Sequence, residues 1–223
     1  MTKGTKNTDY VRLLSILLVV SIIFNIYVSF KLSNYKYKLG QESYTKIEDF
    51  KQRNESNMDI LSKGIEENSL KNEDLLKLYK NYDEMSNDII ELWQQYRAYN
   101  QNAIPFFSKV IKTDKIMENN INEKIKEYML STLSREMKKE SSKVQLESED
   151  LQSFKYMYEI SSKTYDYFNE FNEENLKGVT GEDKESKVIK NHYWIDLLEG
   201  IYKISDDYGD VQWKIESVDS TNK

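Results

Sequence analysis

Apolar residues are distributed along the 223-residue chain in two ways, as one unbroken run and as a series of stripes at helical spacing. The run, Leu13 to Phe30, is eighteen residues without a charge. A helix of that length covers ~27 Å, close to the hydrocarbon thickness of a bilayer. Tyr10, Tyr27, Tyr35 and Tyr37 lie near its ends, where amphipathic rings favour the headgroup layer. A helix that is apolar on every face has no polar side to offer water. The pattern therefore predicts a transmembrane helix over 13–30, preceded by a short basic tail over 1–12 (Lys3, Lys6, Arg12). A cleavable signal peptide would need small residues at A-x-A spacing. Tyr27-Val28-Ser29 and Lys31-Leu32-Ser33 put bulky or charged residues there, which favours an uncleaved anchor.

Beyond the run, 31–67 reads as a helical stalk. Tyr37, Gly40, Tyr44, Ile47, Lys51, Asn54, Met58, Leu61 and Ile65 fall at alternating three- and four-residue steps, and six of these nine are apolar. Such a seam suits a coiled coil with a polar centre. Tyr37, Tyr44, Ile47, Met58, Leu61 and Ile65 would line it, either in a parallel dimer or against later helices of the same chain. Asn68 to Asp74 reads as a helix stop followed by a new start, with Asn72 as cap and Glu73 and Asp74 complementing the first turn.

The clearest stripe follows. Leu75, Leu78, Tyr82, Met85, Ile89, Leu92, Tyr96, Tyr99 and Ala103 form an unbroken 3-4 series, with Pro105 marking its end. Three more helices are expected, over about 115–142, 148–176 (capped by Ser148) and 186–208. In the last, either Tyr193 or Trp194 continues the stripe of Ile189, Leu197, Leu198, Ile201 and Ile204. Val144-Gln145-Leu146 and Val211 to Ile215 alternate apolar and polar residues, the period of a strand, and could pair as a tiny two-stranded ribbon. The expected fold is all-α. The transmembrane helix continues into the stalk, an antiparallel bundle of about four further helices occupies 68–216, and 217–223 forms a disordered tail.

Composition removes several kinds of chemistry. The chain has no cysteine, one histidine (His192) and one proline. That excludes a disulfide framework, thiolate metal sites and a cysteine nucleophile. His192 would share a helical face with Asp196 and Glu199, but the Glu-x-x-His spacing of bundle di-metal sites is missing, because position 189 is Ile. Asp206-Asp207-Tyr208-Gly209-Asp210 lacks the EF-hand spacing, and no glycine-rich phosphate loop is present. Adjacent carboxylates such as Glu173-Glu174 suit solvated helix faces. The sequence therefore predicts no enzyme, no metal and no cofactor.

Charge is uneven along the chain. Residues 1–139 carry 22 basic and 19 acidic residues, whereas 140–223 carry 10 and 19. An acidic distal half repels phosphate backbones, so no nucleic-acid partner is expected. Basic residues on the two sides of the hydrophobic run do not fix its orientation. The short leading tail resembles the start of a signal anchor, which would place the carboxy-terminal part outside the cell. Absence of cysteine is compatible with the outer side of a Gram-positive envelope. Within the span, Ser21, Asn25 and Ser29 recur every four residues on one face, a possible self-association stripe.

These features predict a single-pass protein of the bacterial cell envelope, in contact with the lipid bilayer and with protein partners or a second copy, acting as a non-enzymatic interaction module. A sensor or ligand-binding bundle is the alternative. A membrane helix continuing into a helix pair resembles in outline the extracytoplasmic part of a chemoreceptor, although the second membrane span of that family has no counterpart in this sequence.

Overall fold

The computed structural model describes residues 4–101, 109–139 and 141–215, with side chains from Tyr10 onward. Among them are six helices and one ribbon: α1 (Gly4–Glu67), β1 (Ser69–Lys71), α2 (Asn72–Gln101), α3 (Ile121–Met137), β2 (Lys143–Gln145), α4 (Ser148–Asn175), α5 (Gly181–Lys190) and α6 (Tyr193–Asp206). The expected all-α fold with one long amino-terminal helix is what the chain adopts. Ala103, Pro105 and the 217–223 tail lie outside the described residues. The chain divides into two units, Met1–Leu39 and Gly40–Lys223.

The first unit is helical from Gly4 onward, so the helix begins within the segment expected as a basic tail. Its apolar side chains from Tyr10 to Phe30 are 44 to 67% exposed, and none of its most apolar 18-residue window is buried.

In the second unit, antiparallel helices pack around large rings. Trp194, Tyr82, Tyr99, Tyr128, Phe50 and Phe154 are its largest fully buried side chains. α2 runs antiparallel to α1, as the pairings Ser43–Gln95 and Asn57–Asn81 show. α4 also runs antiparallel to α1, with Phe50 against Phe168 at 6.4 Å between ring centroids and Asn54 bonded to the Ser161 carbonyl. The Tyr99 ring of α2 meets Trp194 of α6 edge-on at 5.9 Å, a favoured aromatic geometry. α3 lies along α2, joined by Ser86–Glu123 and Lys126–Asp83, and is pinned to α4 where Tyr128 and Arg135 both donate to Asp150. The segment leading into α3 follows α6, through Lys109–Asp196, Thr113–Tyr202 and Asn119–Asp206.

Three departures from the sequence reading have local causes. The ribbon pairs Lys143–Gln145 with Ser69–Lys71, not with Val211–Ile215. Asn68, in the left-handed region at φ 50, ends α1 and turns the chain into β1, and its carbonyl accepts from the Leu146 amide. Asn is the commonest non-glycine residue in that conformation. The helix expected over 186–208 is two helices, which makes five helices after α1. His192 at φ 54 breaks the backbone between α5 and α6. The third helix after α1 begins at Ser148 with Glu147 as N-cap, and the preceding one starts at Ile121 because 115–119 forms a turn.

Gly200 permits the closest approach in the bundle. A Cβ there would fall inside the ring of Tyr167, whose hydroxyl donates to the Asp196 carbonyl at 2.8 Å. Gly200→Ala should therefore destabilise the unit by roughly 2–3 kcal/mol through overpacking, read as a lower urea midpoint. Tyr167→Leu in the same chain should recover part of the loss.

Candidate functional site

Two regions carry the candidate residues, the exposed apolar length of α1 and the face that α1 turns to the bundle. In the first, Ser21, Asn25 and Ser29 lie on one exposed face. The Asn25 amide is turned back on its own helix, donating to the Ser21 carbonyl at 2.8 Å and to the Ser21 hydroxyl at 3.4 Å. Ser15 likewise donates to the Val11 carbonyl at 2.9 Å. Internal bonding of this kind lowers the cost of a polar side chain in lipid without a second helix. At the far end of the run the Lys31 ammonium lies 5.8 Å from the Tyr27 ring centroid, an arrangement that suits residues at a headgroup layer.

The second region is the buried face of α1. Within the second unit it consists of Gly40, Ser43, Ile47, Phe50, Asn54, Asn57, Leu61 and Gly64, again at three- and four-residue steps. Gly40, Ile47, Asn54 and Leu61 coincide with the seam read from the sequence. The alternate positions are displaced by one residue. Tyr37 is 45% exposed, and Tyr44, Met58 and Ile65 are half-buried at the margin of the face. Of the seam residues, the structure brings Ile47 and Leu61 into the core, where helices of the same chain cover the face.

This face is unusually polar for a helix seam, and its polar groups fix how α1 meets its neighbours. Ser43 donates to Gln95 at 2.7 Å. Asn54 donates to the Ser161 carbonyl at 2.8 Å. Asn57 donates to the Met85 sulfur at 3.4 Å while accepting from Asn81 at 2.7 Å. The Tyr82 hydroxyl and the Ser161 hydroxyl are buried among them. Burial pushes the Tyr82 phenol far above its ordinary value.

One charge is buried at the same interface. The Asp88 side chain on α2 is 4% exposed, and its Oδ1 meets the Lys46 ammonium of α1 at 3.2 Å. Lys46 also pairs with Glu91 at 3.0 Å. The other Asp88 oxygen has no partner. Burial pushes the Asp88 carboxyl from 3.8 up to about 6, against the opposing pull of Lys46. Periodicity gave no hint of this group, because Asp88 sits beside the apolar series of α2 rather than in it.

The remaining sequence candidates are dispersed. The His192 ring lies against Tyr99 at 4.9 Å between centroids, and Asp196 is engaged by Lys109. Among the described residues no three His, Asp or Glu groups assemble into a metal-binding cluster. Among the described residues, surface grooves of about 190, 310 and 470 Å³ are at least partly open to solvent and mix polar side chains with apolar surface. The largest is lined by Tyr156 and Trp213 together with Glu149, Gln152, Gln212 and Lys214. Neither a protein-family model, nor a curated protein, nor a solved structure matches the chain.

Asp88 also gives the unit a pH signature. A carboxyl held above its unfolded value favours the protonated fold, so its contribution to stability is greatest below about pH 4 and declines as pH rises through about 6. Asp88→Asn should therefore raise stability at pH 7.5 by roughly 1–2 kcal/mol and leave it nearly unchanged at pH 4. Urea unfolding of both proteins at the two pH values measures the difference.

Proposed function

We propose that the chain is a single-pass, membrane-anchored helical protein of the bacterial cell envelope and that its carboxy-terminal unit acts as a non-enzymatic interaction module. The observation that carries this reading is the exposure of the α1 apolar run. Residues 13–30 expose a continuous belt of Leu, Ile, Val and Phe. Burying each such side chain is worth about 1.5–3 kcal/mol, and a bilayer supplies that burial where the protein itself does not. Among the described residues one helix is long and apolar enough to cross a membrane.

The interaction reading draws support from the form of the second unit. Small-molecule sites are concave and enclose most of their ligand, whereas the grooves described above are at least partly open to solvent. Several carboxylates of the unit pair with a cation on another helix, such as Lys184–Glu48 and Arg135–Asp150. A dimer formed through the buried face of α1 would have to displace α2 and α4. Partners of this unit therefore meet its outer faces. The acidic balance of 140–223 favours cationic partners over phosphate polymers.

Alkaline carbonate washing tests the anchor. The full-length product should stay with the membrane pellet, and its release into the supernatant would overturn the reading. Protease added to intact cells should digest the region beyond residue 40, while complete protection would place that region in the cytoplasm. Because the Asn25 amide is satisfied within its own helix, Asn25→Leu should leave crosslinked oligomers in native membranes unchanged.

A further inference from the structure

We infer that Asp88 makes the contact between α1 and α2 a pH-sensitive clasp, in which protonation of the buried carboxyl seats α1 on α2 and ionisation lets α1 open away from it. The inference concerns the Gly40–Lys223 unit alone and stands whether or not the chain is anchored in a membrane.

The groups facing Asp88 are few. From α1 come Lys46, Asp49 and Arg53, and from its own helix comes Glu91. Among the described residues Lys46 is the one cation at ion-pair distance, and it is shared with Glu91. Of the two more distant charges on α1, Asp49 disfavours the charged form and Arg53 favours it. One carboxylate oxygen thus meets half of a lysine, and the other meets no donor. A desolvated carboxylate in that condition is destabilising. It gains hydration as α1 lifts, because Lys46, the cation that meets it, belongs to α1.

α1 is also the neighbour best able to yield. Within its Gly40–Glu67 stretch five of the eight buried positions are Gly40, Ser43, Asn54, Asn57 and Gly64, so Ile47, Phe50 and Leu61 are its fully buried apolar side chains there, with Tyr44, Met58 and Ile65 half-buried at the margin. α3, on the other side of α2, contributes Ile121, Ile125, Tyr128 and Met129 to the core. Opening free energies vary across a structure with buried apolar contact, and the weaker of the two contacts lies over the buried charge.

Hydrogen exchange on the full-length protein in lipid nanodiscs tests the clasp, with rates corrected for intrinsic exchange at pH 5.0 and 7.5. Protection of backbone amides over 40–60 should be about tenfold higher at the lower pH, with α3 changing by less than about twofold. Asp88→Asn should show the high protection at both pH values. Glu91→Gln, which leaves Asp88 in place, should keep the pH dependence. Equal protection of 40–60 at both pH values in the wild type would overturn the inference, as would a pH dependence that survives in Asp88→Asn. Should that variant fail to fold, a carbon-13 titration of the wild-type Asp88 carboxyl decides. A midpoint near 6 supports the clasp and one near 4 overturns it.

Discussion

The carboxy-terminal unit depends on how one face of α1, from Gly40 to Gly64, is held by α2 and α4. Apolar burial is the dominant favourable term in folding, yet this face supplies few apolar side chains. Ile47, Phe50 and Leu61 are separated by Ser43, Asn54 and Asn57, each matched to a partner on a neighbouring helix. Net stabilisation from such bonds is modest, about 1 kcal/mol each, whereas leaving one unmade in the interior costs more. A one-residue rotation or a one-turn slide of α1 would orphan all three at once. The polar seam therefore defines position more than it adds stability, as buried Asn does in coiled coils.

That same polarity explains what could and could not be read from the sequence. α2 was legible because Leu75, Leu78, Tyr82, Met85, Ile89, Leu92, Tyr96 and Tyr99 are apolar or aromatic at each step, and all eight are buried. On α1 the pattern of apolar residues selects Tyr44, Met58 and Ile65, which sit at the margin, and passes over Ser43 and Asn57, which are inside. Apolar periodicity locates the centre of a buried face only when that centre is apolar. Where Asn and Ser fill it, the apparent stripe rotates toward the nearest large side chains. The phase error of one residue at alternate positions is the expected size of that rotation. Phe50 was missed for the same reason, since the shifted stripe ran through Lys51.

The break between α5 and α6 left a trace that periodicity alone does not resolve. Either Tyr193 or Trp194 could continue the stripe from Ile189, and such an ambiguity is what a phase slip at His192 produces. The physical cause is tertiary. A left-handed backbone at a non-glycine residue is uncommon and disfavoured. Here the turn brings Trp194 into the core against Tyr99, with the His192 ring tilted against the same tyrosine. Similarly, the alternating triplet Val144-Gln145-Leu146 overlaps the ribbon strand Lys143–Gln145, but the sequence reading pairs it with Val211–Ile215, whereas its partner is the equally short Ser69–Lys71. Pairing there follows from the left-handed turn at Asn68, which no alternation encodes.

Candidate chemistry followed the opposite course. Of the residues that stand out by type, His192 packs against Tyr99, and the acidic series 206–210 is an exposed helix end where Asp206 accepts from Asn119. Asp88, which type and spacing leave anonymous, is the group whose environment is most perturbed among the carboxylates. It is buried by geometry that only the tertiary fold creates, beneath a helix whose own seam is short of apolar anchors. A charge under a weakly anchored helix and a seam built from matched polar pairs act in different directions. The matched pairs allow α1 a single seated position, and the charge lowers the free energy needed to leave it. The same helix is therefore well defined in where it sits and loosely held in how firmly it sits there. That combination is what a two-state element requires, and it arises from residues that a purely apolar seam would have excluded.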